Sequence, residues 1–157
     1  MYKYMFQLNL RCLLFSCFMR WYCPPIALAS SSPHRWYRAP EILLGSTAYG
    51  KGVDMWAVGC ILGEMLLGKP LFPGSSTMNQ LEKVVEVTGM PTAEAVSHMR
   101  SPFAKTMLES IASTNARKVD LRTLIPSASP EAYKLLDACL NFDPHLRCSA
   151  EQALAHP

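Results

Sequence analysis

Acid is the first thing the opening of this chain lacks. Residues Met1 to Ser32 contain no Asp, no Glu and no His, so that stretch offers no general base and no carboxylate to hold a metal. Charge is sparse throughout, at 17% of residues, and the net +3 comes from scattered Lys and Arg. Nothing there argues for a nucleic-acid partner, which needs clustered basic residues. The six cysteines, Cys12, Cys17, Cys23, Cys60, Cys139 and Cys148, include no C-x-x-C pair and no metal-ligand spacing. Reduced intracellular thiols are therefore preferred to a disulfide framework, which belongs to smaller secreted chains. Cys60 and Cys139 lie within apolar helical patterns and read as small buried hydrophobes. No apolar run crosses a bilayer: the one between Arg11 and Arg20 is about eight residues, against roughly 20 for a span. An internal repeat and a Gly-rich phosphate loop are also missing. What is present, 157 residues that are 50% hydrophobic, suits one globular domain.

The first 32 residues differ in character from the rest. A basic start, the apolar core Cys12 to Met19 and an Ala27-Leu28-Ala29 site suggest a secretory signal. That core sits at the low end of what such signals need, and Arg20 cuts it off. The preferred reading is unrelated sequence joined by alternative splicing, a retained intron or a wrong start site. Pro24-Pro25 and Ser30-Ser31-Ser32-Pro33 then form a joint.

From Arg35 the signals turn regular. Ala39-Pro40-Glu41-Ile42-Leu43-Leu44-Gly45 predicts a short helix with Pro at its first position and Gly just past its end. Val53 to Leu67 predicts a helix that Gly68 closes ahead of Pro70, with Asp54 near its start. Met55, Val58, Ile61, Leu62, Met65 and Leu66 recur at helical spacing. Trp56, Ala57 and Cys60 fill much of the other side, and Glu64 is the only interior charge. A helix apolar nearly all round is a buried one and the hub of a fold. Thr77 with Gln80 offers a capping box for a helix with the stripe Leu81, Val84, Val85 and Thr88, ended by Gly89 and Pro91. Pro91 to Pro126 reads as an irregular insertion holding one or two short helices. Ser129 caps a helix with Pro130 first and Ala132, Leu135, Leu136, Cys139 and Leu140 as its buried face. Ser149 with Gln152 is a second capping box.

Three blocks carry a family likeness: Trp36-Tyr37-Arg38-Ala39-Pro40-Glu41, then Gly50-Lys51-Gly52-Val53-Asp54-Met55-Trp56, then Pro70-Leu71-Phe72-Pro73-Gly74 running on to Leu81. Ala39-Pro40-Glu41 is the A-P-E signature of protein kinases. Arg35 to Pro157 resembles the lower part of a eukaryotic protein-kinase large lobe of the CMGC group. It is most similar to MAP kinases, and within them to the atypical extracellular-signal-regulated kinases of the seven/eight type. The resemblance implies an all-α fold around a central buried helix, with residues 33–157 as a partial large lobe and 1–32 as an unrelated segment. It implies membership of the ATP-dependent Ser/Thr protein kinases. Complete members transfer the γ-phosphate of ATP, with Mg2+, to protein Ser/Thr-Pro sites. Partners would be protein substrates or regulators of MAP kinases, in the cytoplasm or the nucleus.

The residue roles that the resemblance implies are mostly structural. Glu41 would pair with Arg147, a bidentate carboxylate–guanidinium contact that ties a loop to a distant helix. Arg38, with Tyr37, would sit under the pocket for the residue after the phosphorylated Ser or Thr and favour proline there. The alternative for Arg38 is an arginine stacked on Tyr37 or Trp36. Asp54 would accept backbone hydrogen bonds from a catalytic loop. This sequence has no such loop, which leaves Asp54 an ordinary helix-start carboxylate. Trp56 belongs to the scaffold helix. Met78 to Gly89 and the following insertion match regions that such kinases use to bind substrates and regulators.

The departures are large. Ala29-Ser30-Ser31 stands where MAP kinases carry a phosphorylated Thr-x-Tyr, and His34 where they place a threonine. The sequence holds no V-A-I-K lysine, no H-R-D loop and no D-F-G, the parts that phosphoryl transfer uses. The expectation is a truncated kinase lobe with no catalytic, cofactor-binding or metal residue, inactive on its own. The alternatives are a non-catalytic module that competes with the intact kinase, and a secreted or tethered product. Loss of the upper lobe is expected to uncover Met55, Trp56 and their neighbours.

Overall fold

Proline and glycine punctuate the chain where its helices begin and end. The structure, a computed structural model, describes residues 33–113 and 118–157. The secretory, splicing and Thr-x-Tyr readings fall on residues outside that set. A 3-10 turn, Pro33–Tyr37, opens the described part, followed by α1 (Pro40–Leu43), α2 (Gly52–Leu67), α3 (Thr77–Thr88), α4 (Ala93–His98), α5 (Ala104–Ala112), α6 (Leu121–Leu124), α7 (Pro130–Cys139) and α8 (Ala150–Leu154). Among the described residues there is no strand, so the fold is all-α.

The ends are set locally. Pro40 and Pro130 enter at the first positions of α1 and α7, where a missing N–H costs nothing. Gly68 ends α2 at φ 76°, a left-handed conformation that only glycine adopts freely. Ser149 and Gln152 form a reciprocal capping box on α8. At α3 the cap differs from the expected Thr77–Gln80 box. Ser76 is the cap and accepts from the Asn79 amide, which frees Gln80 to turn inward. The insertion holds three short helices rather than one or two, because Thr92 and Asp120 each cap one with a side-chain oxygen.

The core is one cluster that includes Leu44, Trp56, Phe72, Leu81, Val84, Met99, Ile111 and Leu136. Helix α2 packs chiefly on α7, and α3 lies against α1, α5 and the 3-10 turn. The buried face of α2 is Met55, Trp56, Gly59, Cys60 and Gly63. That corrects two expectations. Val58 and Met65 of the predicted stripe are 37% and 49% exposed, whereas Met55 and Trp56 are covered. Phe72 stacks on the Trp56 ring at 5.7 Å. The deciding contact is the close approach of α7: a Cβ on Gly59 would stand 2.8 Å from Cys139 Cβ and from Leu140 Cδ2. A helix apolar nearly all round lets neighbours choose its face, and the glycines admit the nearest one.

Candidate functional site

The side chain that organises this region is Arg147, on the loop between α7 and α8. Its five N–H groups have five acceptors. Nε donates to the Asn141 carbonyl at 3.1 Å. Nη1 donates to Glu41 Oε1 at 2.9 Å and to the Gly52 carbonyl at 2.6 Å. Nη2 donates to Glu41 Oε2 at 3.0 Å and, at 3.5 Å, to the Phe142 carbonyl. The guanidinium also lies over the Trp56 ring, 5.2 Å from its centre. Glu41 is 2% exposed and Arg147 7%, so the pair is desolvated, and its fork geometry and extra carbonyl partners offset that cost. Helix α1 aims Glu41 inward from its first turn. The sequence-predicted residues Glu41, Arg147 and Trp56 thus converge on one point.

A second set of contacts holds the segment ahead of α1. The Tyr37 hydroxyl donates to Glu64 Oε2 at 2.6 Å, which fastens the 3-10 turn to the only interior charge of α2. Burial, the hydrogen bond to Glu64 and the charge of Glu64 push the Tyr37 phenol up to about 12. Trp36 Nε1 donates to the Gly74 carbonyl at 3.0 Å. The fully buried Gln80 accepts from the Gly74 amide at 3.0 Å and donates to the Trp36 carbonyl at 3.3 Å. Gln80 is thus a buried bridge rather than the expected cap of α3. Its position on the same helix face as the core residue Val84 was the available signal for an inward polar residue.

Arg38 is half-buried at the end of the turn, its amide bonded to the Arg35 carbonyl at 3.1 Å. Asp54 is exposed in the first turn of α2. Sequence reasoning also missed His98, whose Nδ1 meets Asp143 Oδ2 at 2.9 Å and whose ring stands edge-on to His145 at 4.5 Å. Among the described residues there is no group of three or more His, Cys, Asp or Glu placed to hold a metal ion. What these contacts do is hold the segment ahead of and within α1 in place.

The protein kinase domain family matches over residues 23–157, beginning ahead of the boundary at 33 that the motifs suggested. "Extracellular signal-regulated kinase 2" of Dictyostelium discoideum is 60% identical over 123 residues, 78% of this chain and 33% of that protein. "Mitogen-activated protein kinase 15" of Xenopus laevis is 50% identical over 132 residues, 83% of this chain and 22% of its own length. Among solved structures, a MAP kinase of Leishmania major superposes with a TM-score of 0.71 at 44% identity, covering 79% of this chain and 40% of that one. The chain spans a third or less of the length of these two curated relatives. With the A-P-E helix, the scaffold helix and the pair that joins them all in place, the chain belongs to the protein kinase family, on its MAP-kinase-like branch.

Proposed function

We propose that this chain is the substrate-facing lower lobe of a Ser/Thr protein kinase whose complete form transfers the γ-phosphate of ATP, with Mg2+, to protein Ser/Thr-Pro sites. Residues 33–157 form the kinase-like lobe and 1–32 a separate segment. Tyr37 and Arg38 border the pocket for the residue after the phosphorylated one. The buried Glu41–Arg147 pair carries this reading, because it anchors the end of the segment that a substrate would rest on. Asp54 and Trp56 keep scaffold roles. By itself the 157-residue chain does not bind ATP, since the residues that phosphoryl transfer requires are not in its sequence. Its partners are protein substrates or regulators, and its location is the cytoplasm or nucleus. Among the described residues, no helix is long and apolar enough to cross a membrane.

The test has two arms. Calorimetric titration of the chain with Mg·ATP is expected to give no saturable heat, and a Mg-dependent isotherm would sink the claim of inactivity. A longer form carrying H-R-D-x-x-x-x-N and D-F-G ahead of Arg35 should phosphorylate a Ser-Pro peptide over its Ser-Ala analogue. Arg38→Ala should lower that preference, and an unchanged ratio would remove Arg38 from the pocket.

A second reading, a non-catalytic module that shares partners with the intact kinase, is favoured by a cavity of about 780 Å³ between the end of α3 and α7. Met90 and Leu146, which line it, are 49% and 69% exposed. Capture of the same partners by both forms supports this reading, and no shared partner removes it.

A further inference from the structure

Two of the cysteines stand face to face. Cys139 is the last residue of α7, and Cys148 lies just ahead of Ser149, the cap of α8. Their sulfurs are 3.5 Å apart, and both are free thiols. The Cys148 amide donates to the Ala138 carbonyl at 3.0 Å, so the two backbones are already coupled beside the pair. A disulfide needs about 2.0 Å between sulfurs, and rotation of the Cys148 side chain is the motion available. Cys139 is fully buried, whereas Cys148 is half-buried and within reach of solvent. One sulfur can therefore meet an oxidant while the other waits behind it, the arrangement of an attacking and a resolving cysteine.

We infer that Cys139 and Cys148 form a reversible disulfide site, closed by a peroxide and opened by a thiol reductant. The Cys148 thiolate attacks one oxygen of hydrogen peroxide. The O–O bond breaks and hydroxide leaves, giving Cys148 sulfenic acid. The Cys139 sulfur then attacks the Cys148 sulfur, and the S–S bond forms. The Cys139 proton and the sulfenic hydroxyl leave together as water. In sum, two thiols give up two electrons and two protons, and one peroxide becomes two waters.

The surroundings set the order of the two steps, keeping Cys139 as the thiol that waits. Burial, then the hydrogen bond and charge of Cys148, push the Cys139 thiol up to about 12, while Arg147 pulls it down. Closure ties to α7 the loop that carries Arg147, the partner of Glu41, so the redox state of this pair bears on how firmly that loop is held.

The experiment is peptide mapping of the full chain, oxidised with hydrogen peroxide under native conditions and then alkylated. Trypsin cuts after Lys134 and Arg147, so Cys139 and Cys148 fall on different peptides, 135–147 and 148–157. These two are expected joined, with a mass lower by two hydrogens, and separated by dithiothreitol. The link should persist in a variant with Cys12, Cys17 and Cys23 changed to Ser and vanish in Cys148→Ser. The oxidised chain should also unfold at a higher urea midpoint than the reduced one. A dominant link from either cysteine to another position would overturn the assignment. So would Cys148 stopping at sulfinic acid while Cys139 remains open to alkylation. Both readings come from the natural sequence and do not depend on a variant folding.

Discussion

At the residue scale, the clearest case is a side chain whose work is hidden by its type. Gln80 sits where a helix cap is expected, and burial turns it into a strut between Gly74 and Trp36. Gln80→Leu keeps the volume; the Gly74 amide retains its bond to the Phe72 carbonyl at 2.9 Å, but the Trp36 carbonyl loses its partner, so chemical denaturation should register a loss of about 1–3 kcal/mol. Tyr37 is the other case. Its proton is held more tightly in the folded chain, up to about 12, than in the unfolded chain, where tyrosine titrates near 10. The stability that this difference contributes is whole below about pH 10 and is lost as pH rises through about 12. A tyrosinate absorbance titration should show a late component that Tyr37→Phe abolishes. Neither residue announces this in the sequence. A glutamine three positions after a threonine fits a cap, and a tyrosine beside an arginine fits a pocket wall. The distant partners lie 44 positions away for Gln80, at Trp36, and 27 for Tyr37, at Glu64.

At the scale of elements, helix ends are the legible part and helix faces the illegible one. Prolines, glycines and capping serines act within a single turn, which is why α1, α2, α7 and α8 begin and end close to where the sequence places them. The face of α2 is decided by what arrives against it. Gly59 and Gly63 are where α7 and Leu71 come closest, and they can be told apart. A methyl on Gly59 would meet Cys139 Cβ, close to the α7 backbone, as well as Leu140. One on Gly63 would press at 2.7 Å on the flexible end of Leu71. Gly59→Ala should therefore destabilise by about 1–3 kcal/mol from overpacking, less the roughly 1 kcal/mol that alanine gains in a helix. Gly63→Ala should be near neutral, because Leu71 can rotate away. Urea midpoints of the two variants make the comparison, and equal losses would place the tight α2–α7 contact elsewhere.

At the scale of the whole molecule, one contact joins residues 106 positions apart, Glu41 and Arg147. Arg147→Ala leaves a buried carboxylate without its partner and should cost about 3–5 kcal/mol in equilibrium unfolding. Arg147→Lys should recover little of it, since an ammonium supplies no planar fork and too few donors for the five acceptors. The double variant with Glu41→Gln should cost less than the sum of the singles. A loss of about 1 kcal/mol or less in the single variant, the worth of an exposed pair, would contradict the burial described. The sequence by itself determined the family, the helical class and the ends of helices such as α2 and α7, because ordered motifs and caps are read from neighbouring residues. It also named both members of the Glu41–Arg147 pair through the family resemblance. Only the tertiary structure decided that Arg147 spends every donor there, that Gln80 points inward, that α2 buries its glycine face and that Cys139 meets Cys148. Those are choices of partner across long stretches of chain. They are settled by close packing and by the cost of leaving a buried polar group unpaired, which no local pattern records.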